Sequence, residues 1–151
     1  MNTSQAGLDL VAEFEGCVLH AYPDPATGGE PWTIGYGRAH GVKKGDTCTR
    51  EQALEWLKED VAWAEATIRA NVRKPLNQHQ FDALVSFIYN VGAGAFAAST
   101  MLRMINAGDY KGAAGQFGRW INGPNGPMPG LVRRRGAERA MFEKQAAKAA
   151  A

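Results

Sequence analysis

The stretch Glu15-Gly16-Cys17-Val18-Leu19-His20-Ala21-Tyr22-Pro23-Asp24-Pro25-Ala26-Thr27-Gly28-Gly29-Glu30-Pro31-Trp32-Thr33-Ile34-Gly35-Tyr36-Gly37 decides how this chain is read. An apolar-patterned helix ends on an acid, Glu15, and a second acid, Asp24, follows in a Pro/Gly loop. A short β-type run, Trp32-Thr33-Ile34, then lies between turn residues. Two carboxylates delivered from different elements can face one cleft in unlike environments, which is what acid/base chemistry on a glycosidic bond requires. Gly35 and Gly37 alternate with Ile34 and Tyr36, a pattern that marks either close approach by backbone or ligand or simply a turn.

Upstream, Ser4 is an N-cap, and Leu8, Val11, Phe14 and Val18 recur at helical spacing. The first helix is expected over about 4–17, with Glu15 in its last turn, where the negative end of the helix dipole favours a carboxyl that keeps its proton. Residues 18–48 are Gly/Pro-rich and predict two or three short strands around Tyr22, Trp32–Tyr36 and Val42. Thr49-Arg50-Glu51-Gln52 reads as a capping box opening a single long helix to about Asn71, with Trp56 and Trp63 both on its core face. Asn77 caps a strongly apolar helix through Val91 that stops at Gly92. Short helices are expected over about 93–97, 100–107 and 109–119, then a loop over 123–130 and a last helix from about Leu131 to Phe142.

Composition bounds the rest. The chain of 151 residues suits one domain, and its 45% hydrophobic share suits a real core. The net charge of +2 hides an asymmetry. Residues 1–100 hold 8 Lys+Arg against 12 Asp+Glu, a net of −4, while residues 101–151 hold 9 against 3, a net of +6. Such a basic third suggests an anionic partner. No Lys or Arg precedes Arg38 and acids interrupt the first apolar run, so no secretory signal is expected, nor a membrane-spanning stretch. Cys17 and Cys48 can pair, but buried free thiols are the expected state. His20, His40 and His79 are too scattered for a metal site, and neither metal nor cofactor is expected.

The Glu-Gly pair, the eight residues between Glu15 and Asp24, and Trp32-Thr33-Ile34-Gly35-Tyr36-Gly37 resemble the phage lysozymes, or endolysins, of glycoside hydrolase family 24. That family's signature is Glu, eight residues, Asp or Cys, five residues, Thr; here eight residues separate Asp24 from Thr33, an insertion in the Thr27-Gly28-Gly29 turn. The segment Gln80–Gly92 resembles the family's core helix. The resemblance covers about residues 4–142 and implies an α+β, predominantly α-helical lysozyme-like fold. In it a small N-terminal lobe with a short sheet joins a helical C-terminal lobe, the lobes being about 1–60 and 61–151 of one catalytic domain, with the cleft between them.

It further implies Glu15 as general acid, Asp24 as the ionised partner and Thr33 as holder of the attacking water. Glu30, Tyr36 and Asn90 are expected to contact substrate. The implied reaction hydrolyses the β-1,4 bonds between N-acetylmuramic acid and N-acetylglucosamine in peptidoglycan, with inversion. The partner expected is peptidoglycan, with an anionic bacterial surface reached through the basic third. A monomer is expected, held in the host bacterial cytoplasm until released to the periplasm or wall. Two alternatives stand beside this one. A lytic transglycosylase manages with a lone acid, so the Asp24/Thr33 pair argues against it. A catalytically silent wall-binding module, or a nucleic-acid binder, is opposed by the complete Glu/Asp/Thr set and by the lack of basic-aromatic interleaving. Of Arg133, Arg134 and Arg135, three consecutive helical residues about 100° apart, one is expected to pair with Glu138 or Asp109 and the others to be solvated.

Overall fold

The computed structural model describes residues 1–145. Its centre is the fourth of eight α-helices. In chain order the elements are α1 (Gln5–Glu15), β1 (Val18–Tyr22), β2 (Thr33–Gly35), α2 (Arg50–Asp60), α3 (Ala62–Asn71), α4 (Gln78–Val91), α5 (Ala93–Ala97), α6 (Thr100–Asn106), α7 (Tyr110–Gln116), β3 (Asn122–Gly123), β4 (Gly126–Pro127) and α8 (Pro129–Phe142), with a 3₁₀ turn at Phe117–Arg119. The fold is α+β and predominantly helical, as expected.

Helix α4 is buried around its whole girth from Phe81 to Ile88, because α1, α3, α5 and α8 all pack against it. Phe87 is the hub of an aromatic cluster, meeting Phe96, Phe117 and Trp120 edge-on at centroid distances of 6.5, 5.4 and 5.4 Å. Local signals start these helices. The Asn77 side chain accepts from the Gln80 N–H while the Gln80 side chain accepts from the Asn77 N–H, a full capping box. Asp109 and Ser99 cap α7 and α6 in the same sense. At the N-terminus, Ser4 accepts from the Gly7 N–H and its hydroxyl donates to the buried Asp82 carboxylate, which ties the start of α1 to α4.

Strands β1 and β2 pair antiparallel, with Val18 opposite Gly35, Tyr22 opposite Thr33 and a register break between. Isolated bridges join His20 to Thr47 and Ile34 to Arg38. Gly35 sits at a φ of +65°, and a Cβ there would lie 3.2 Å from that of Ala53 on α2, so glycine meets both the turn and the close approach. Of the strands expected around residues 18–48, the Val42 region forms none.

Further sequence expectations need correction. The helix expected over 49–71 is two, α2 and α3, separated at Val61. Hydrogen bonding nearly continues through that residue, from the Val61 N–H to Leu57 O and from the Glu65 N–H to Val61 O, both at 3.0 Å. The break lets each half follow its own neighbours, α2 against β2 and α1, α3 against α4 and α5. Secondly, Trp63 is not a core residue; it is 43% exposed, stacked on Tyr89 at a centroid distance of 5.8 Å. Thirdly, the segment expected as loop over 123–130 contains the β3–β4 hairpin and the start of α8, with Pro129 at its first turn. Cys17 and Cys48 carry free thiols, half-buried rather than buried. Lys148, counted in the basic third, lies outside the described residues.

Candidate active site

Glu15 ends α1 because Gly16, at a φ of +71°, turns the chain into β1 while its N–H still donates to Ala12 O. The side chain is 24% exposed and lines a cavity of about 380 Å³ with Asn90, Met128, Leu131, Arg133 and others. Its Oε1 accepts from Arg134 Nη1 at 2.9 Å. Its Oε2 faces the turn after β2, where a Cβ built on Gly37 would lie 3.9 Å away. Gly37, at a φ of +98°, thus lets bare backbone pass beside the carboxylate.

Arg134 is the keystone of a buried ionic network. Besides Glu15 it donates through Nε to Glu138 at 3.2 Å and through Nη2 to Ser86 O at 3.1 Å, and its guanidinium lies 5.8 Å from the Phe14 ring centroid. Arg135 donates to Glu138, to the Asn90 side-chain oxygen and, at 2.9 Å, to Trp120 O. The Ser86 hydroxyl donates to Glu138 at 2.6 Å. The expectation that one of these arginines pairs while the others are solvated is therefore corrected. Positions 134 and 135 lie four and three residues before Glu138, and both reach its wholly buried carboxylate on α8. Only Arg133 of the three is exposed. Burial pushes the Glu138 carboxyl up from its ordinary value, opposed by Arg135, the Ser86 hydroxyl and Arg134. At Glu15, a guanidinium meets the carboxylate directly.

The remaining expected site residues divide. Asn90, exposed at the end of α4, shares the cavity with Glu15 and is braced by Arg135. Asp24 lies two residues beyond β1, and its Oδ1 accepts from the Ala26 N–H at 2.7 Å. Thr33 opens β2 opposite Tyr22, so it sits at the Asp24 end of the sheet, whereas Glu15 adjoins the Val18–Gly35 end. Glu30 is exposed on the loop between the strands, its carbonyl accepting from the Thr27 hydroxyl at 2.6 Å. Tyr36 is half-buried, packed against the hydrophobic core. Burial and the adjacent Cys17 thiol push its hydroxyl up, with Arg50 opposing. Among the described residues no group of three or more His, Cys, Asp or Glu is arranged to hold a metal ion.

Sequence reasoning missed the Arg134–Glu138–Ser86 bracing of Glu15. The spacing of Arg134 to Glu138 was a visible signal, but nothing local says that Ser86 lies beneath it. Tyr89 was missed as well; its hydroxyl is pushed up to about 12, mainly by burial and then by the charges of Asp60 and Glu15.

The Phage lysozyme family model matches residues 12–138. The chain belongs to that family and is a lysozyme-type, peptidoglycan-lytic hydrolase. It is 43% identical over 147 residues to the endolysin of Acyrthosiphon pisum secondary endosymbiont phage 1, covering 95% of this chain and 99% of that one. Its fold superposes on a P22 lysozyme mutant with a TM-score of 0.87 at 42% identity, and on the muramidase domain of SpmX from Asticaccaulis excentricus with a TM-score of 0.88 at 36% identity. Each of the two covers 95% of this chain and 99% of its own.

Proposed function

We propose that this lysozyme hydrolyses the β-1,4 bond between N-acetylmuramic acid and N-acetylglucosamine with inversion, and that Glu15 is its general acid. The observation that carries the reading is the split environment of one carboxyl: Oε1 held by Arg134 at 2.9 Å, Oε2 facing the open turn at Gly37. A protonated Glu15 can accept from Arg134 on Oε1 while giving its proton from Oε2 to the leaving glycosidic oxygen. As that proton leaves, the charge that develops meets a guanidinium already in place. The interaction grows along the reaction coordinate, which is what lowers a barrier.

Asp24 and Thr33 share the other end of the sheet, where the Asp24 carboxylate and the Thr33 hydroxyl orient the attacking water. Inversion requires room for a water between acid and base, a separation of about 6.5–9.5 Å rather than the closer pair of a retaining enzyme. Glu30, Tyr36 and Asn90 contact the glycan, which lies between the lobes of about 1–60 and 61–151. Mass spectrometry of digested sacculi tests the reaction: reducing muropeptides are expected, anhydro products indicate a transglycosylase, and no release indicates a silent module.

The basic third retains a narrower role. With Arg134 and Arg135 buried, the exposed cations Arg119, Arg133, Arg139 and Lys144 are those that draw a monomeric enzyme, released from the host cytoplasm, onto anionic wall. No described helix is long and apolar enough to cross a membrane.

A further inference from the structure

Glu138 on α8 is wholly buried and does not line the cavity at Glu15, yet it stands one contact away from it. Its Oε2 accepts from Arg134 Nε at 3.2 Å and from the Ser86 hydroxyl at 2.6 Å, and its Oε1 accepts from Arg135 Nη1. The far end of each guanidinium then holds a residue of the cavity. Arg134 Nη1 donates to Glu15 Oε1 at 2.9 Å, and Arg135 Nη2 donates to the Asn90 side-chain oxygen. One carboxylate on α8 thus stands behind a residue of α1 and a residue of α4.

Both oxygens of Glu138 face guanidinium N–H groups, which only donate. These contacts suit the ionised form and oppose the upward push of burial. Arg135 and Ser86 alone would suffice to tie α8 to α4. Arg134 differs because its charge is shared, Nε against Glu138 and Nη1 against Glu15. A guanidinium with no second partner favours the ionised form of the carboxyl it meets, whereas a general acid must carry its proton at the working pH. A carboxylate on the other side of the same guanidinium subtracts from that attraction, and burial keeps water from screening it.

We propose that Glu138 is a positioning residue for the reaction: it holds Arg134 against Glu15 Oε1 and offsets its charge, so that Glu15 keeps the proton it donates. This role rests on Glu15 as the general acid. The other ionisable groups about Glu15 are Glu13 and Arg133 in its cavity, Tyr89 of α4 with Asp60 of α2 beyond it, and Cys17 and Tyr36 beside β1 and the turn after β2. Near Glu138, Arg139 pairs with Glu143 on the exposed side of α8, and Asp82 of α4 is engaged by Ser4 and Gln78. All of these stay in place when position 138 is changed.

The 13C resonance of the Glu15 carboxyl, assigned by its disappearance in Glu15→Gln, is titrated in the substrate-free protein. The pH profile of kcat/KM on soluble glycan strands is recorded beside it. Glu138→Gln keeps the shape and removes one negative charge. The Glu15 midpoint and the alkaline limb of the profile should both move to lower pH by about one unit, the order expected for a unit charge removed from across one guanidinium at a protein's effective dielectric. Glu138→Asp restores the charge and should recover part of the shift. A Glu138 that merely holds the fold lowers the melting temperature and moves neither reading. Should Glu138→Gln fail to fold, Glu138→Met combined with Arg135→Met takes its place, since exchanging a buried ion pair for apolar side chains is often neutral or stabilising. The midpoint should then still fall, by less, because the positive charge removed is the more distant one. An unmoved midpoint in a folded variant, or one moved to higher pH, overturns the role of Glu138 and leaves Glu15 as the acid. A midpoint that moves while the alkaline limb stays in place removes Glu15 as the acid, and the positioning role falls with it.

Discussion

Replacing Arg134 with Met keeps most of the side-chain volume and removes the guanidinium from four partners at once: Glu15, Glu138, Ser86 O and the Ser86 hydroxyl. The magnitude follows from which partners can turn to water. Glu15 is 24% exposed and resolvates at modest cost, whereas the Glu138 side chain is fully buried and cannot. Removing one partner of a buried ion pair costs about 3–5 kcal/mol. Arg135 and the Ser86 hydroxyl still serve Glu138, which places the expected loss near the lower bound, about 3 kcal/mol. At about 2–4 °C per kcal/mol for a chain of this size, the melting temperature should fall by roughly 6–12 °C at neutral pH.

The pH dependence gives the sharper test. Burial already raises the Glu138 carboxyl, and loss of Arg134 raises it further. A carboxyl raised on folding binds a proton more readily in the native state than in the unfolded one. Stability therefore increases as pH falls toward the ordinary carboxylate range, and decreases as pH rises through the raised value. The deficit of Arg134→Met relative to wild type should shrink on acidification from pH 7 toward pH 5. Urea denaturation at several pH values measures it. A deficit under about 1 kcal/mol, or one that stays constant over that range, would falsify the claim that Glu138 is left as an undercompensated buried charge.

Glu15→Gln keeps the shape and the acceptor for Arg134 but removes the transferable proton, so lysis should drop by about 10²–10⁴-fold with a nearly normal melt; activity within tenfold of wild type moves the acid elsewhere, Glu30 first. Thr33→Ala should lower kcat more than it raises KM, and Asp24→Asn should be equally damaging, both read on soluble glycan; a silent Thr33→Ala means the insertion at Thr27-Gly28-Gly29 has moved this hydroxyl off the water. Product anomers followed by NMR should show inversion, and retention rules out the assigned roles. Replacing Arg119, Arg133 and Arg139 with Gln should slow lysis of whole sacculi at low salt and flatten its salt dependence, because exposed charges are screened beyond about 8 Å at physiological ionic strength. Equal loss on a short neutral oligosaccharide places these arginines in the cleft rather than in steering.

Much of this architecture was legible because its signals are local. The Ser4, Thr49 and Asn77 caps and the apolar run of Phe81–Ile88 are read within a turn or two of helix, and each is where the chain's own spacing puts it. The position of Glu15 at the end of α1 and the turn chemistry of Gly35 and Gly37 were legible for the same reason. What the sequence could not determine are quantities set by elements far apart in the chain. Trp63 has the helical phase of a core residue, but the break at Val61 separates its helix from α2 and leaves one face of the ring open beside Tyr89. Arg134 and Arg135 look like a solvated basic cluster, since a charge on an isolated helix has water for a partner. Their burial is decided by α8 lying against α4, which brings Ser86 and Asn90 beneath them, and by α1 delivering Glu15 across 119 residues of sequence. Composition and periodicity determine which elements form. Only the packing of those elements determines which charges lose their water, and on that depends the partner that holds the Glu15 carboxyl.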